Sequence, residues 1–314
     1  MTMGKLSRRR FLAISAVAAA GIPAAVQAQA VHHWRGVALG ADASITLAHP
    51  DAARIVDIAR AEIARLEAVF SLHRPGSALN QLNAAGSLSA PPPELLDCLS
   101  RCAQLHRATD GLFDPTIQPL WALHARHFAG MDAAALPDRQ TRRAVLAHVG
   151  FDRVRLGTAA IALDAGMALS LNGIAQGYIA DRVAALLRAQ GLRDVLVNTG
   201  EFAALGQAPG GTPWQIGLQA GQNVLPDRVP LMDAALASSA PHGISFDGQG
   251  RVGHILNPKT GFPAQPNWAL VSVIAPDAWL ADGLSTAFCL MDGPEIARCL
   301  TRFPQARLAA LVAA

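Results

Sequence analysis

The feature that most constrains the fold is a glycine-bearing pattern near the middle of the chain. A short apolar run at residues 167–171 precedes Asn172 and Gly173, and a helical pattern then continues to Gln190, just before Gly191. Apolar residues recur along that stretch at helical spacing, and glycine after the last turn is typical of a helix C-terminus. The pattern therefore predicts a strand, a turn and a helix.

Two interpretations of the glycines at this turn remain open. Gly173 and Gly177 let a backbone approach a ligand closely, and the free N–H groups of a helix start favour anions. An ordinary strand–turn–helix that uses glycine for packing has the same pattern, and glycine loops of loose spacing are common. Taken alone, this stretch favours packing.

Composition indicates a folded chain without a nucleic-acid partner. Of 314 residues, 51% are hydrophobic and 16% are charged, which is typical of globular proteins. The formal net charge is +3, and no run of Lys and Arg lies outside the N-terminus. A basic surface that could bind nucleic acid is therefore not expected.

The four cysteines do not have the spacing of a metal site. Cys98 and Cys102 are four residues apart on an expected helix, which suits one helical face and makes a poor disulfide. Buried thiols are the simplest interpretation. A Cys289–Cys299 disulfide in an oxidising compartment is the alternative.

The N-terminus has the pattern of an export signal. Residues 7–12 read Ser-Arg-Arg-Arg-Phe-Leu, and an Ala-rich apolar stretch with small-residue cleavage sites follows up to Ala30. This order resembles a twin-arginine signal, which carries folded cargo. We therefore predict a signal peptide at 1–30, a domain at 31–314 and a periplasmic location. A lone membrane anchor is the alternative. No later apolar run reaches about 18 residues, so the mature chain is expected to be soluble.

Beyond the signal, helical and strand patterns are mixed without strict alternation, which favours one compact α+β domain over a doubly wound sheet. Residues 121–140 are expected to form an irregular connection. The predicted helices cover 51–70, 77–83, 94–109, 142–150, 175–190 and 277–291, and the predicted strands cover 37–47, 154–163 (a hairpin-like pair), 194–198, 214–218, 234–239, 270–275 and 307–312.

One helix carries a candidate cation site. Asp282, Ser285 and Thr286 lie at i, i+3 and i+4, so three oxygen-bearing side chains share a face of an otherwise apolar helix. Mg²⁺ prefers such ligands together with phosphate oxygens and water. The alternative is a solvated stripe, because Ser and Thr within helices often bond back to a carbonyl. Asp114 lies in a loop, where most aspartates form turns.

Five motifs in one order resemble the ApbE family of periplasmic flavin transferases, which move FMN from FAD onto proteins. They are SLHRPGSALNQLN at 71–83, TDGLFDPTIQPL at 109–120, LNGIAQGYIADR at 171–182, HILNPKTG at 254–261 and ADGLSTAF at 281–288. The resemblance covers nearly the whole chain after the signal. It implies an α+β fold, FAD as substrate, Mg²⁺, esterification of FMN to a Thr or Ser hydroxyl, and release of AMP.

The resemblance also implies roles for individual residues. His254 would act near the transferred phosphorus, and Asp282 would be essential for catalysis. The remaining positions are a cation set of Gly173 (through its carbonyl), Asp282, Ser285 and Thr286, and a flavin-binding set of Leu39, His73, Leu112, Phe113, Asp114, Ser170, Gln176 and Leu256.

Several positions depart from the family pattern. An acidic residue is common at Ser170, Lys or Glu at Gln176, and Asp at both Asn257 and Ser285. Fewer carboxylates should weaken cation binding, so we expect the metal to bind together with FAD, whose pyrophosphate adds negative charge. The expected partner is an acceptor flavoprotein of a membrane redox complex, which would place the protein near the membrane surface. A flavin carrier and an FAD pyrophosphatase are the alternative functions.

Overall fold

The computed structural model describes residues 30–130 and 135–314. The helices are α1 (Ala52–Phe70), α2 (Ala78–Ala85), α3 (Pro93–Ala108), α4 (Gln118–Ala129), α5 (Arg139–Leu146), α6 (Ala175–Ala189), α7 (Ala278–Phe288) and α8 (Gly293–Leu300). The strands are β1 (Val31–Ala38), β2 (Ala41–Ala48), β3 (Ser87–Ser89), β4 (Arg155–Leu156), β5 (Ala160–Ala162), β6 (Val195–Asn198), β7 (Phe202–Leu205), β8 (Trp214–Ala220), β9 (Asn223–Leu231), β10 (Ala234–Ser239), β11 (Trp268–Ala275) and β12 (Arg307–Ala313).

The architecture is built on a seven-stranded sheet in the order β1-β2-β6-β7-β10-β11-β12, and all neighbouring strands are antiparallel. Apolar side chains of α1, α3, α6 and α7 form the main core with one face of this sheet. The β8–β9 hairpin packs on the other face over a smaller core. Helices lie together on an antiparallel sheet, so the α+β prediction is confirmed.

Helices α6 and α7 are joined by close packing and by a carboxylate. A Cβ at Gly177 would lie 2.3 Å from the carbonyl oxygen of Ala278, so only glycine allows α7 to begin against this turn of α6. Asp181 of α6 accepts hydrogen bonds from the backbone N–H groups of Ala278 (2.7 Å) and Trp279 (2.9 Å). The first turn of α7 is therefore capped from its neighbour.

The prediction of a single strand at 37–47 is wrong, because the chain turns at Leu39 and Gly40 to form the β1–β2 hairpin. Both turn residues have positive φ, 48° at Leu39 and 85° at Gly40. Two left-handed residues in a two-residue turn match the twist of the paired strands. The Leu39 N–H donates to Glu67 Oε1 at 2.7 Å, which holds this uncommon conformation.

Two further expectations are wrong. Residues 167–171 form no strand, because the backbone around Leu169 bonds to the side chain of Asn83 instead of a neighbouring strand. Much of the supposed connection at 121–140 is helix α4, with Pro119 in its first turn and His124 buried, bonded to the Leu120 carbonyl. The sequence interpretation also missed β7, β9 and α8.

The remaining predictions concern cysteines and the termini. All four cysteines are free and buried, and no Cys289–Cys299 disulfide forms. Within the described ranges, no helix combines the length and apolar character needed to cross a membrane. The expected signal peptide at 1–30 lies almost wholly outside the described residues and stays a prediction.

Candidate functional site

A cleft opens where α6, α7 and the ends of β7 and β10 meet the β1–β2 hairpin and the loops at 110–117 and 240–258. All but one of the residues singled out from the sequence line it. They are Leu39, His73, Leu112, Phe113, Asp114, Ser170, Gly173, Gln176, His254, Leu256, Asp282 and Thr286. Residues up to 247 positions apart in the chain, from Leu39 to Thr286, are thus brought to one place.

Ser285 is the exception. It is fully buried and does not line the cleft. Its Oγ donates to the Asp282 carbonyl at 3.0 Å and lies 2.8 Å from Ser239 Oγ. The helical spacing correctly places Ser285 beside Asp282 and Thr286, but its hydroxyl is directed to β10 and to its own helix. A cation in the cleft would therefore not meet Ser285 in this rotamer.

Asp282 is the buried carboxylate at the base of the cleft, with 3% of its surface exposed. Its Oδ2 accepts a hydrogen bond from the Gly177 N–H at 3.1 Å. Burial, with a smaller contribution from the charge of Asp181, raises the pKa of Asp282 to about 7. The Gly177 N–H at the start of α6 therefore binds the Asp282 carboxylate of the protein itself. Of the two interpretations of the glycine turn, packing against α7 thus applies to Gly177.

Hydroxyl and backbone oxygens surround Asp282. Ser239 Oγ lies 3.4 Å from Thr286 Oγ1, and the backbone of Gly173 packs against Thr286. A Cβ at position 173 would lie 3.0 Å from Thr286 Oγ1, so glycine permits this close approach. Ser239, like Asn172 and Trp121, lines the cleft but was not among the predicted site residues.

Glu201 is the most important residue that sequence reasoning missed. It lines the cleft with only 7% of its surface exposed, and its Oε2 accepts the Ser238 N–H at 3.1 Å. Burial, followed by the charge of Asp282, raises the pKa of Glu201 well above its usual range. A signal was present: an acidic residue follows the buried strand β6 and Gly200, where a strand end commonly presents functional groups.

The other side of the cleft is apolar and aromatic. Leu39, Leu112 and Phe113 contribute to it, and Ile117 and Trp121 extend it. Such a surface suits a planar ring system.

Asp114 lies beside this apolar surface, but its carboxylate is already bonded. Oδ1 accepts from the Thr116 N–H at 2.8 Å and Oδ2 accepts from the Phe151 N–H at 3.1 Å. Asp114 is thus a turn-forming residue that also forms part of the cleft wall.

His254 faces the cleft from the loop at 240–258. Its Nδ1 lies 3.1 Å from the Ile244 carbonyl oxygen, which can only accept, so we assign the proton to Nδ1. Nε2 of the neutral ring then carries the lone pair that can take a proton. Burial lowers the pKa of His254 below its ordinary value, although its hydrogen bonds to the backbone of Ile244 and Pro241 act in the opposite direction. The ring is therefore neutral at pH 7.

The charges that line the cleft are unbalanced. Four acidic residues line it, Asp42, Asp114, Glu201 and Asp282, whereas none of its described lining residues is Lys or Arg. Among the described residues, no group of three or more His, Cys, Asp or Glu side chains is arranged to hold a metal. A cation bound here would need hydroxyl and carbonyl oxygens in addition to carboxylates.

Comparisons with known proteins agree with one another. The model of the ApbE family matches residues 39–312. The "FAD:protein FMN transferase" of Treponema pallidum is 32% identical over 266 residues, covering 76% of this chain and 71% of that protein. The protein of the same name from Haemophilus influenzae is 29% identical, with coverage of 72% and 69%. The crystal structure of the Pseudomonas stutzeri flavinyl transferase ApbE superposes with a TM-score of 0.79 at 26% identity, covering 91% of this chain and 92% of that one.

Proposed function

This chain belongs to the ApbE family, and we propose that it transfers FMN from FAD to a Thr or Ser hydroxyl of a target protein, releasing AMP in a Mg²⁺-dependent reaction. The observation that carries the proposal is the composition of the cleft. It joins an apolar, aromatic side with a buried acidic side that bears hydroxyls, and the described residues that line it include no Lys or Arg. Its two sides suit the two chemically different parts of FAD, the ring and the pyrophosphate.

The acidic side of the cleft favours binding of a divalent cation. A pyrophosphate is an anion, and burying it beside the Asp282 and Glu201 carboxylates without a countercharge is strongly unfavourable. Asp282, Thr286 and the carbonyl of Gly173 would hold the cation, because these are the oxygen ligands that Mg²⁺ prefers. When bound, the cation neutralises charge on the pyrophosphate.

The reaction follows from where the protein groups lie. The acceptor hydroxyl attacks the phosphorus of the FMN half, the bond to the bridging oxygen breaks, and AMP leaves with that oxygen. His254 Nε2 takes the proton of the attacking hydroxyl, because its pKa keeps it neutral and Ile244 orients the ring. The apolar side fixes the flavin, and positioning supplies much of the acceleration.

One incubation separates the candidate functions. Purified protein is mixed with FAD, Mg²⁺ and an acceptor peptide that contains a Thr, and the products are separated by chromatography and mass spectrometry. A flavin-modified peptide with stoichiometric AMP is the expected result. Free FMN with AMP would indicate a pyrophosphatase, and unchanged FAD would indicate a carrier. A peptide with the Thr replaced by Val is the matched control.

We also propose that the chain is exported to the periplasm by the twin-arginine route. The pair Arg8-Arg9 before Phe11-Leu12 supports this. There the protein would meet acceptor flavoproteins of membrane redox complexes. Replacing both arginines with Lys should leave uncleaved protein in the cytoplasm. Normal periplasmic appearance of that variant would contradict the proposal.

A further inference from the structure

The acidic side of the cleft contains one more buried carboxyl group than the predicted cation ligands account for, and this observation extends the proposed function, on which it rests. Asp42 is exposed at the rim, and the Asp114 carboxylate is bonded to two backbone N–H groups. Two buried carboxyl groups remain, Asp282 and Glu201. A second buried carboxyl group in the same cleft needs a physical reason, because ionising it there without a countercharge is costly.

The two carboxylates are held in the same way. Asp282 Oδ2 accepts from the Gly177 N–H, and Glu201 Oε2 accepts from the Ser238 N–H, each at 3.1 Å. The second oxygen of each group, Oδ1 and Oε1, accepts no hydrogen bond from the described residues. Both side chains line the cleft, so each can offer its remaining oxygen to a ligand there.

The sheet places Glu201 next to the hydroxyl cluster. Pairing of β7 with β10 ends at Phe202 and Leu236, and beyond that point the Ser238 N–H bonds to the Glu201 side chain. The next residue, Ser239, contacts Thr286. Glu201 is thus fixed to the same segment of β10 that meets the Asp282 helix.

The turn before Glu201 is well determined. The Thr199 hydroxyl donates to the Gln176 carbonyl at 2.8 Å, and the Gly200 N–H donates to Asn198 Oδ1 at 3.0 Å. Gly200 has a φ of 105°, and a Cβ there would lie 2.5 Å from Gln176 Nε2. Glycine is therefore required, and this turn fixes the direction in which the Glu201 backbone leaves it.

We propose that Glu201 supplies the second carboxylate that holds the divalent cation, the role that Ser285, directed away from the cleft, does not fill. The cation site then has two carboxylates from different parts of the chain, Asp282 on α7 and Glu201 at the start of β7. Together they compensate the charge of the cation, and the hydroxyl of Thr286 and the carbonyl of Gly173 complete the protein ligands.

The first test measures metal binding in the absence of an acceptor, once without FAD and once with FAD bound. Mn²⁺ binding to the full chain is titrated by electron paramagnetic resonance, which reports free Mn²⁺. Glu201→Gln should weaken Mn²⁺ affinity at least tenfold, and Asp282→Asn should weaken it at least as much. Asp42→Asn is the matched control, because it removes a charge of the same sign at the exposed rim, and its effect should be less than threefold. Circular dichroism melts check folding.

The outcomes separate the two proposals. Unchanged Mn²⁺ affinity in folded Glu201→Gln, with loss in Asp282→Asn, overturns the role of Glu201 and leaves the proposed function intact. If the wild-type chain binds neither Mn²⁺ nor Mg²⁺, with or without FAD, the metal dependence in the proposed function fails as well.

A second measurement avoids the risk that a variant does not fold. The chain has only five glutamates, Glu62, Glu67, Glu94, Glu201 and Glu295. Labelling the glutamate carboxyl carbons with ¹³C therefore gives few NMR signals, and Mg²⁺ can be added to the wild-type protein. One carboxyl signal should shift with saturation, and Glu201→Asp should remove it from the glutamate spectrum. Absence of any shift at saturating Mg²⁺ overturns the inference.

Discussion

The two walls of the cleft differ in how firmly their functional groups are held. The helical wall carries Asp282 and Thr286 on α7, whose first turn is capped by Asp181 and whose backbone packs directly on Gly177. The loop wall at 240–258 carries His254, which is partly buried, and Ile244, which is 38% exposed.

The loop wall is anchored by ring contacts, by backbone hydrogen bonds and by the buried Asp247 carboxylate, which accepts from the Arg251 side chain at 3.0 Å. Phe246 packs its ring against Trp121 of α4, with ring centroids 5.3 Å apart, and its N–H donates to the Val252 carbonyl. The His254 N–H donates to the Ile244 carbonyl. Asp282 and Thr286 thus belong to a helix that is capped and closely packed, which preorganises them for a ligand, whereas Ile244 and His254 lie on a loop.

The strongest test of the helical wall is Asp282→Asn. The proposed function assigns this residue the central carboxylate of the cation site, so AMP release should fall roughly 10²-fold or more. The substitution keeps the side-chain volume, and the Gly177 N–H can still bond to the amide oxygen. Asp164→Asn, a change outside the cleft lining, is the control. If Asp282→Asn keeps the wild-type rate and Mg²⁺ dependence, the assignment of the cation site to α7 is wrong.

The loop wall is tested by His254→Ala, which should lower kcat/KM by roughly 10²-fold by removing a general base. Asp282, whose pKa is raised to about 7, contributes an acidic limb of its own. Because burial lowers the pKa of His254, protonation of this base should add a further fall in activity only below its ordinary value of 6.5. A pH profile of wild-type protein should show this further fall, and the variant should lose it. An unchanged further fall in His254→Ala would assign that ionisation to another group.

The packing of the helical wall is tested by Asp181→Ala. Two buried backbone N–H groups lose their acceptor, so the free energy of unfolding should fall by about 2–3 kcal/mol. Asp277→Ala is a matched control, since Asp277 stands at the N-cap of α7 without a side-chain capping bond. Urea unfolding of both variants checks the contrast. Equal losses of unfolding free energy in the two variants would mean that Asp181 of α6 does not stabilise α7.

The smallest effect is expected from Phe246→Ala. Loss of ring contacts to α4 should loosen the loop wall and raise the KM for the acceptor a few-fold, and it should weaken FAD binding less, because Leu256 is the one residue of this loop in the predicted flavin-binding set. Phe303→Ala removes a half-buried ring outside the cleft lining and serves as control. Fluorescence titration of FAD, together with acceptor kinetics, measures the two effects separately. A loss of FAD affinity larger than the rise in KM would mean that the loop serves flavin binding more than acceptor binding.

Local periodicity explains which parts of the fold could be predicted. Helices such as α1 and α6 carry apolar residues at helical spacing, and Ser77 caps α2 by accepting the Asn80 N–H. Helix α4 was missed because its buried face includes a polar residue, His124. The β1–β2 turn was missed because leucine rarely adopts a positive φ, and the hydrogen bond that Leu39 donates to Glu67 is a tertiary contact.

The site could be predicted from sequence to the same extent, because local spacing indicates which residues share an element but not which distant elements they contact. The spacing of Asp282, Ser285 and Thr286 was sufficient to place them on one helix face. The direction of the Ser285 hydroxyl was not predictable, because it depends on Ser239 of a distant strand. Glu201 was missed for a similar reason: its neighbours in space come from β10 and α7, not from its own segment.

The bond between Gly177 and Asp282 joins residues 105 positions apart, so the cleft is completed only when the C-terminal part of the chain docks. Contacts of such long range form late and slowly during folding. A ligand of this cleft therefore binds the finished fold and not its precursors. At a hundred times its dissociation constant, such a ligand adds about 2.7 kcal/mol to the stability of the native state. Substrate supply thus also sets how long the enzyme survives unfolding and proteolysis.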